Sequence, residues 1–457
     1  MTVRVYDTLQ RAKVDLETRE PARVSIYVCG PTVYEAPHVG HGRFAIVYDV
    51  IRRYLRWRSF DVHYVSNVTD VEDKIIARAA ETASSEEELA RRYEAAWFAQ
   101  LERLGVERPD ETPHATAYIA QMLAMIGELV AGGHAYVVEG RGVYFDVASF
   151  PGYGALPHRS LEQLLDSAGA RVEVDEAKRN PVDFALWKAA KPGDPTWPSP
   201  WGPGRPGWHI ECSTMALDLL GEGFDLHGAG DDLVFPHNEN ERAQAEAAGH
   251  PFARYWLHSG MVEIGGEKMS KSLGNFTTLA DALDAHGPRA FRLAVLQTHY
   301  RKATELGDAE LATAASAVDR LDALARRAGV EGISPGSVQP DEATTARFRA
   351  EMDDDFATPG ALATIFDAIG RAHQAIDAGE RDRAASLLAA VLDLTSALGL
   401  PVETRAGADA EIDALVAGRD AARAARDFAT SDRIRDELAG RGVVLEDTAR
   451  GTVWHRR

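Results

Sequence analysis

The chain has 457 residues, 45% hydrophobic and 26% charged, enough for two to four domains around a large core. Its net charge of −20 argues against a protein that coats nucleic acid nonspecifically, and two cysteines cannot build a disulfide framework. No apolar run approaches a membrane span, and Met1-Thr2-Val3-Arg4-Val5-Tyr6-Asp7 lacks the basic-then-apolar pattern of a secretory leader, so a reducing cytoplasm is the expected compartment.

Residues 24–29 alternate and are rich in β-branched side chains, which predicts a buried strand that Pro31 ends. A helix is expected from about 40 to 58, a second strand over 61–66 ending at Asn67-Val68-Thr69-Asp70, and a charged helix over 86–104. Strand, helix, strand at this spacing predicts a parallel α/β unit. Residues 113–207 read as an insertion, with a helical opening, a strand at 143–147 and a Pro- and Trp-rich stretch over 192–208. The strand pattern resumes at Phe224-Asp225-Leu226-His227-Gly228, a helix is expected to start near Pro236, and two short strands around 255–264 lead into the Gly265-Gly266 turn. Beyond 305 the chain turns Ala-rich with helical periodicity over 308–328, 341–378 and 380–398, with a Pro-Gly linker at 332–340. A last unit spans 408–457. From Arg419 onward, nine arginines stand against seven Asp and Glu, a net of +2 that sets the tail apart from the acidic remainder.

Three sets of residues carry chemistry. His38-Val39-Gly40-His41 falls between a strand and a helix start, where unpaired backbone N–H groups and the helix dipole favour phosphate. His38 and His41, three apart, share a face, and Gly40 leaves room for a ring against the backbone. On four residues alone the segment reads equally as a helix start with two surface histidines. Lys268-Met269-Ser270-Lys271-Ser272 lies between Gly265-Gly266 and Gly274, so two lysines on a loop can reach a polyphosphate; a solvated basic loop is the plain alternative. Cys29, Cys212, His237 and Glu241 form a thiolate, imidazole and carboxylate set suited to zinc, with His237 and Glu241 at i, i+4 of an expected helix. There is no C-x-x-C pair, and buried cysteines are ordinarily small hydrophobes, so spacing leaves this site open. His209 and His227 compete as ligands or as supporting groups. Trp208 reads as packing, and Asn67-Val68-Thr69-Asp70 as turn and cap residues.

In combination, these segments resemble a class I aminoacyl-tRNA synthetase, and most closely the cysteinyl-tRNA synthetase family. His38 to His41 looks like the family's HIGH motif with Val for Ile, and Lys268 to Ser272 matches its KMSKS motif. Gly204-Arg205-Pro206-Gly207-Trp208-His209-Ile210-Glu211-Cys212 and Phe235-Pro236-His237-Asn238-Glu239-Asn240-Glu241 are similar to the stretches that supply its zinc ligands. The likeness extends to Arg426-Asp427-Phe428-Ala429 and Leu445-Glu446-Asp447-Thr448. Two positions depart: Asn238 stands where a second histidine is usual, and Gly42 precedes Arg43 where alanine is common.

The resemblance implies an α/β fold. A Rossmann-like parallel-sheet catalytic core (1–112 and 208–304) would carry an inserted domain (113–207), then a helical bundle (305–405) and a small anticodon-binding domain (408–457). It implies one zinc ion on Cys29, Cys212, His237 and Glu241, and ATP with magnesium as substrate. His38, His41, Lys268 and Lys271 would be catalytic, with Gly40, Thr69, Trp208 and Asp232 lining the cysteine and adenylate pocket. L-cysteine and cysteine tRNA would be the partners of a monomer without membrane attachment. The rival readings are the cysteine ligase of mycothiol biosynthesis, which lacks the tail, a noncatalytic RNA-binding paralogue, and a plain nucleotidyltransferase.

Overall fold

The computed structural model describes residues 2–168, 178–265, 267–268, 277–336, 338–403, 410–448 and 451–456. The chain divides into two compact units, Met1–Ala312 with Glu351–Pro359, and Thr313–Ala350 with Gly360–Arg457.

The first unit opens on a hairpin, β1 (Arg4–Asp7) and β2 (Ala12–Asp15), absent from the sequence expectations. β3 (Arg23–Val28), α1 (Val39–Trp57), β4 (Asp61–Ser66), α2 (Asp73–Thr82) and α3 (Glu86–Arg103) follow. α4 (Ile119–Ala131), β5 (Ala135–Val138), β6 (Gly142–Phe145), α5 (Leu161–Ala168), β7 (Phe184–Ala189) and β8 (Gly204–Pro206) form a separate layer around an antiparallel sheet of order β5-β6-β7-β8. The chain then returns through α6 (Trp208–Leu220), β9 (Leu226–Gly230), α7 (Glu239–Ala247), β10 (Tyr255–Ser259), β11 (Val262–Ile264), β12 (Glu267–Lys268), α8 (Leu279–His286), α9 (Pro288–Leu296) and β13 (Thr304–Glu305).

The central sheet has the order β10-β9-β3-β4, all parallel. Parallel strands covered on both faces read as continuous apolar runs. β3 is covered in this way: from Val24 to Val28 every residue is buried, including Ser25, whose hydroxyl donates to Asp225 (2.7 Å). Tyr27, Met215, Phe224 and Trp256 fill the core on one side of the sheet. The antiparallel layer has its own core around Met122, Ile126, Phe145 and Trp187, which it shares with α6 and α7 through Ile210 and Ala243.

Two expectations need correction. The helix expected near Pro236 begins at Glu239, because the chain first makes an irregular turn over Val234–Asn238 with a cis Phe235–Pro236 peptide. The single helical stretch expected over 341–378 is two helices, α11 (Glu342–Asp353) and α12 (Thr358–Asp377), with α10 (Asp308–Val330) before them. The break lies at Asp355 and Phe356, both at positive φ (66° and 52°). Asp355 is fully buried there and accepts from Tyr6 N (2.8 Å), Tyr300 Oη (2.8 Å) and Arg301 Nε (2.7 Å), which an uninterrupted helix would not allow.

The second unit continues with α13 (Arg381–Ala397), α14 (Ala410–Ala424), α15 (Phe428–Gly440) and the hairpin β14 (Val443–Thr448) and β15 (Gly451–Arg456). Ile412, Val416, Ile434, Leu438, Val443 and Trp454 make a local core over α14 to β15. Arg419 pairs with Asp447 (2.8 Å) and Trp454 Nε1 donates to Asp413 (2.7 Å), tying the hairpin to α14. Among the described residues, no helix is long and apolar enough to cross a membrane.

Candidate active site and metal centre

Open α/β sheets place ligands beyond the carboxyl ends of their strands. Here β3 runs into Cys29 and Gly30, β4 into Asn67, β9 into Asp231 and Asp232, and β10 into Gly260. The strand ends border a cleft of about 520 Å³ whose lining includes Cys29, Tyr34, His38, Gly40, His41, Lys74, Trp208 and Asp232. Gly30 permits the close approach of β3 to β4: a Cβ on it would lie 1.5 Å from the Asn67 carbonyl oxygen.

His38 is the N-cap of α1. Gly40 N donates to His38 Nδ1 (3.1 Å), and His38 N donates to His41 Nδ1 (3.1 Å). A backbone N–H can only donate, so both Nδ1 atoms are acceptors and both rings carry their proton on Nε2. The rings stack with centroids 3.8 Å apart, and His41 meets the edge of Trp97. Burial, with His38 beside it, pushes His41 down to about 3, so it is a neutral N–H donor at neutral pH. Gly42 packs tightly, since a Cβ there would lie 2.6 Å from Leu279 Cδ1 and 3.0 Å from Phe291 Cε1. The room an alanine would need is thus already filled.

Arg43 is 2% exposed and donates to four carbonyls: Gly260, Met261 (2.7 Å), Tyr300 (3.2 Å) and Lys302. It fastens the first turn of α1 to β11 and to the segment before β13. Arg43→Met should lower unfolding stability by about 3 kcal/mol, since it strips the guanidinium from four carbonyls, of which, among the described residues, only those of Met261 and Tyr300 keep a backbone donor, Thr304 N and Gly260 N. Denaturant titration checks this, and an unchanged midpoint would contradict it.

Cys29, Cys212, His237 and Glu241 converge from β3, α6, the irregular turn and α7. One ligand atom from each lies within 4.8 Å of all the others, and all four side chains are buried. Cys29 Sγ is 3.4 Å from Glu241 Oε1, and His237 Nε2 is 2.9 Å from the same oxygen. Burial alone would raise Glu241, but His227 and His237 pull it well below the usual carboxylate range. The bond from Cys29 brings the Cys212 thiol down to about 6 against the effect of burial, and His237 helps. Burial, Cys212 and Glu241 push Cys29 up. Burial would lower His237, but Glu241 and Cys212 raise it to about 10. The cluster gathers buried thiol and carboxylate groups whose negative charge a bound cation would offset. Two sulfurs, one imidazole nitrogen and one carboxylate are a donor set that fits a zinc ion.

His209 and His227 lie behind this set. His227 Nε2 is 2.7 Å from Glu241 Oε2, while its Nδ1 is buried with no hydrogen-bond partner among the described residues. His209 Nδ1 is 2.9 Å from His237 Nδ1, and burial and His237 hold His209 well below its usual range. His237 therefore donates from Nδ1 to His209, leaving Nε2 toward Glu241 and the thiols. Trp208 covers the His237 ring at 4.2 Å between centroids.

The remaining expected site residues divide. Gly40, Trp208 and Asp232 line the cleft. Thr69 is 1% exposed and stands behind the wall, where its hydroxyl donates to Glu211 (3.2 Å) and its N–H to the Pro31 carbonyl (3.1 Å). The Lys268 backbone pairs with Glu263 at the end of β12, and its side chain lies outside the described residues, as does all of Lys271. Tyr34 and Lys74 also line the cleft, with the ammonium 5.5 Å from the Tyr34 ring centroid; the sequence reading missed both. Acidic Glu72 and Asp73 ahead of apolar Ile75, Ile76 and Ala79 are the signal that would have placed Lys74 in the first turn of a helix.

The model of the tRNA synthetases class I (C) catalytic domain matches residues 15–316, the DALR domain 347–403, and the cysteinyl-tRNA ligase anticodon binding domain 405–454. Among relatives, the chain is 50% identical to the cysteine–tRNA ligase of Halorhodospira halophila, over 99% of both chains. It is 46% identical to that of Geobacter sulfurreducens, again over 99% of both. Among solved structures, Mycobacterium tuberculosis methionyl-tRNA synthetase in complex with methionyl-adenylate has the same fold, with a TM-score of 0.60 at 18% identity, covering 82% of this chain and 89% of that one. These matches span the cleft, the buried cysteines and the tail alike, and the chain belongs to the cysteine–tRNA ligase family of class I aminoacyl-tRNA synthetases.

Proposed function

We propose that the protein activates L-cysteine with ATP to cysteinyl-adenylate and transfers the cysteinyl group to the 3′ end of cysteine tRNA, as a monomer in the cytoplasm. The observation that carries this reading is the convergence of two thiols, an imidazole and a carboxylate beside a nucleotide-type cleft, in a chain 50% identical to a ligase of that name. The match over 405–454 favours tRNA over an amino sugar as the acceptor.

The first step needs no protein nucleophile. The cysteine carboxylate attacks the α-phosphorus in line, and the bond to pyrophosphate breaks as the new P–O bond forms. Positioning and charge stabilisation supply the catalysis. His38 and His41 present Nε2–H groups to phosphate oxygens, Gly40 leaves space for adenine, and Lys268 and Lys271 balance charge on the leaving pyrophosphate. Magnesium enters with ATP. Trp208 and Asp232 line the cysteine and adenylate pocket, and Thr69 supports it from behind. In the second step the terminal ribose hydroxyl of tRNA attacks the adenylate carbonyl and AMP leaves.

A zinc ion on Cys29, Cys212, His237 and Glu241 would supply a soft cation that favours the thiolate of cysteine over the hydroxyl of serine, a distinction a hydrophobic pocket makes poorly. Residues 1–112 and 208–304 would form the catalytic core, 113–207 the insert, 305–405 the helical bundle and 408–457 the anticodon-binding domain.

Charging assays on the intact protein test the reading: cysteine should be esterified to cysteine tRNA, whereas charging of an amino sugar but never tRNA would overturn it. Lys271→Ala should slow adenylate formation by on the order of a hundredfold with little change in cysteine affinity. An unaffected exchange rate with collapsed cysteine affinity would show that Lys271 has a different role.

A further inference from the structure

Asn238 occupies the position where the resemblance leads one to expect a second histidine, and no step above uses it. It is fully buried. Its Nδ2 lies 2.9 Å from Glu241 Oε1 and 3.5 Å from Cys29 Sγ, so the amide reaches two members of the metal set at once. Its Oδ1 lies 3.0 Å from His258 Nε2, and His258 Nδ1 lies 2.7 Å from Thr8 Oγ1.

These contacts fix which way the amide points. Glu241, as a carboxylate, can only accept, so the NH₂ group must face it; the flipped amide would set oxygen against oxygen. With NH₂ toward Glu241 and Cys29, Oδ1 faces His258, whose Nε2 must carry a hydrogen. His258 Nδ1 then accepts from the Thr8 hydroxyl. Hydrogen bonds thus run from Thr8 through His258 and Asn238, and end on two ligand atoms.

We propose that Asn238 is a positioning residue of the metal centre. Its two N–H groups hold Cys29 Sγ and Glu241 Oε1 in ligating orientation, and the Thr8–His258 pair locks the amide that does so. The proposal rests on the zinc reading and deepens it. His227 holds the other oxygen of Glu241, so this ligand is fixed from both sides. Partners of this kind orient metal ligands and tune their donor strength. An N–H on Cys29 Sγ also stabilises its lone pairs, which a thiolate-to-metal charge-transfer band reports directly.

The test compares full-length wild-type protein with Asn238→Leu, Asn238→His and Thr8→Val. Zinc affinity is measured by chelator competition, the absorption spectrum is recorded after cobalt(II) replaces zinc, and thermal unfolding of the zinc-free proteins controls for folding. Asn238→Leu should weaken zinc binding by about 10- to 100-fold and move the thiolate-to-cobalt band to longer wavelength. Asn238→His, which keeps one donor, should fall between this variant and the wild type. Thr8→Val, outside the cluster, should shift the band in the same direction with a roughly threefold loss of affinity, and decides the matter if Asn238→Leu does not fold. Unchanged affinity and an unchanged band in a folded Asn238→Leu, or in Thr8→Val if that variant must decide, would overturn the proposal. A wild-type protein that holds no zinc would instead sink the zinc reading, and this inference with it.

Discussion

Cys212→Ser should lose zinc and cysteine activation together. Cys212 is 1% exposed on α6, and its thiol is depressed to about 6 within the cluster. A serine hydroxyl fills nearly the same space but is not a thiolate, so the three remaining donors would have to hold the metal alone. Metal content should drop from about one zinc per chain to well below that, and cysteine-dependent ATP–pyrophosphate exchange should fall by about three orders of magnitude, or ~4 kcal/mol. Serine activation should not rise, because the substitution removes the selecting cation without building a serine site. Full exchange activity in a folded Cys212→Ser, or no zinc in active wild-type protein, would end the metal hypothesis.

Removal of residues 408–457 should separate the two half-reactions. Every residue placed on the cleft or the metal lies between Cys29 and Lys271, and Thr8 supports them from the same unit, whereas Ile412, Val416, Ile434, Leu438, Val443 and Trp454 form a core local to the tail. Exchange should therefore survive the truncation. Charging of cysteine tRNA should fall by on the order of a hundredfold or more, because readout of unpaired anticodon bases needs arginines and stacking surfaces, which the tail is proposed to bring. tRNA binding by the intact chain should weaken with added salt, as phosphate contacts require. Undiminished charging by the truncated protein would refute the role given to the tail.

Much of the fold could be read locally. The buried run before Cys29, the strand at 61–66 and the helix after His38 carry strong patterns, because parallel strands and a helix packed on a sheet bury continuous or periodic apolar faces. The β1–β2 hairpin, α2 and α6 were missed, and the break after Asp353 depends on Asp355 finding Tyr6, Tyr300 and Arg301, partners remote in sequence.

The site was legible as residue types but not as geometry. Nothing in the spacing of Cys29, Cys212, His237 and Glu241 brings them within 4.8 Å; the strand order β10-β9-β3-β4 does, by setting the ends of β3 and β9 side by side. His258 belongs to no motif, and its link to the metal set appears only once β10 lies next to β9. By position at a strand end Thr69 reads as a turn residue, and only the resemblance places it in the pocket; in the structure its hydroxyl donates to Glu211 behind the wall.

We propose that this chain selects cysteine through a metal held by Cys29, Cys212, His237 and Glu241. This is tested most directly by ATP–pyrophosphate exchange with cysteine, with serine and with no amino acid, on protein before zinc removal, after it, and after zinc is restored. Exchange should occur with cysteine only, be lost on removal and be regained with zinc. Equal exchange with serine, or cysteine-dependent exchange that persists in zinc-free protein, would contradict it.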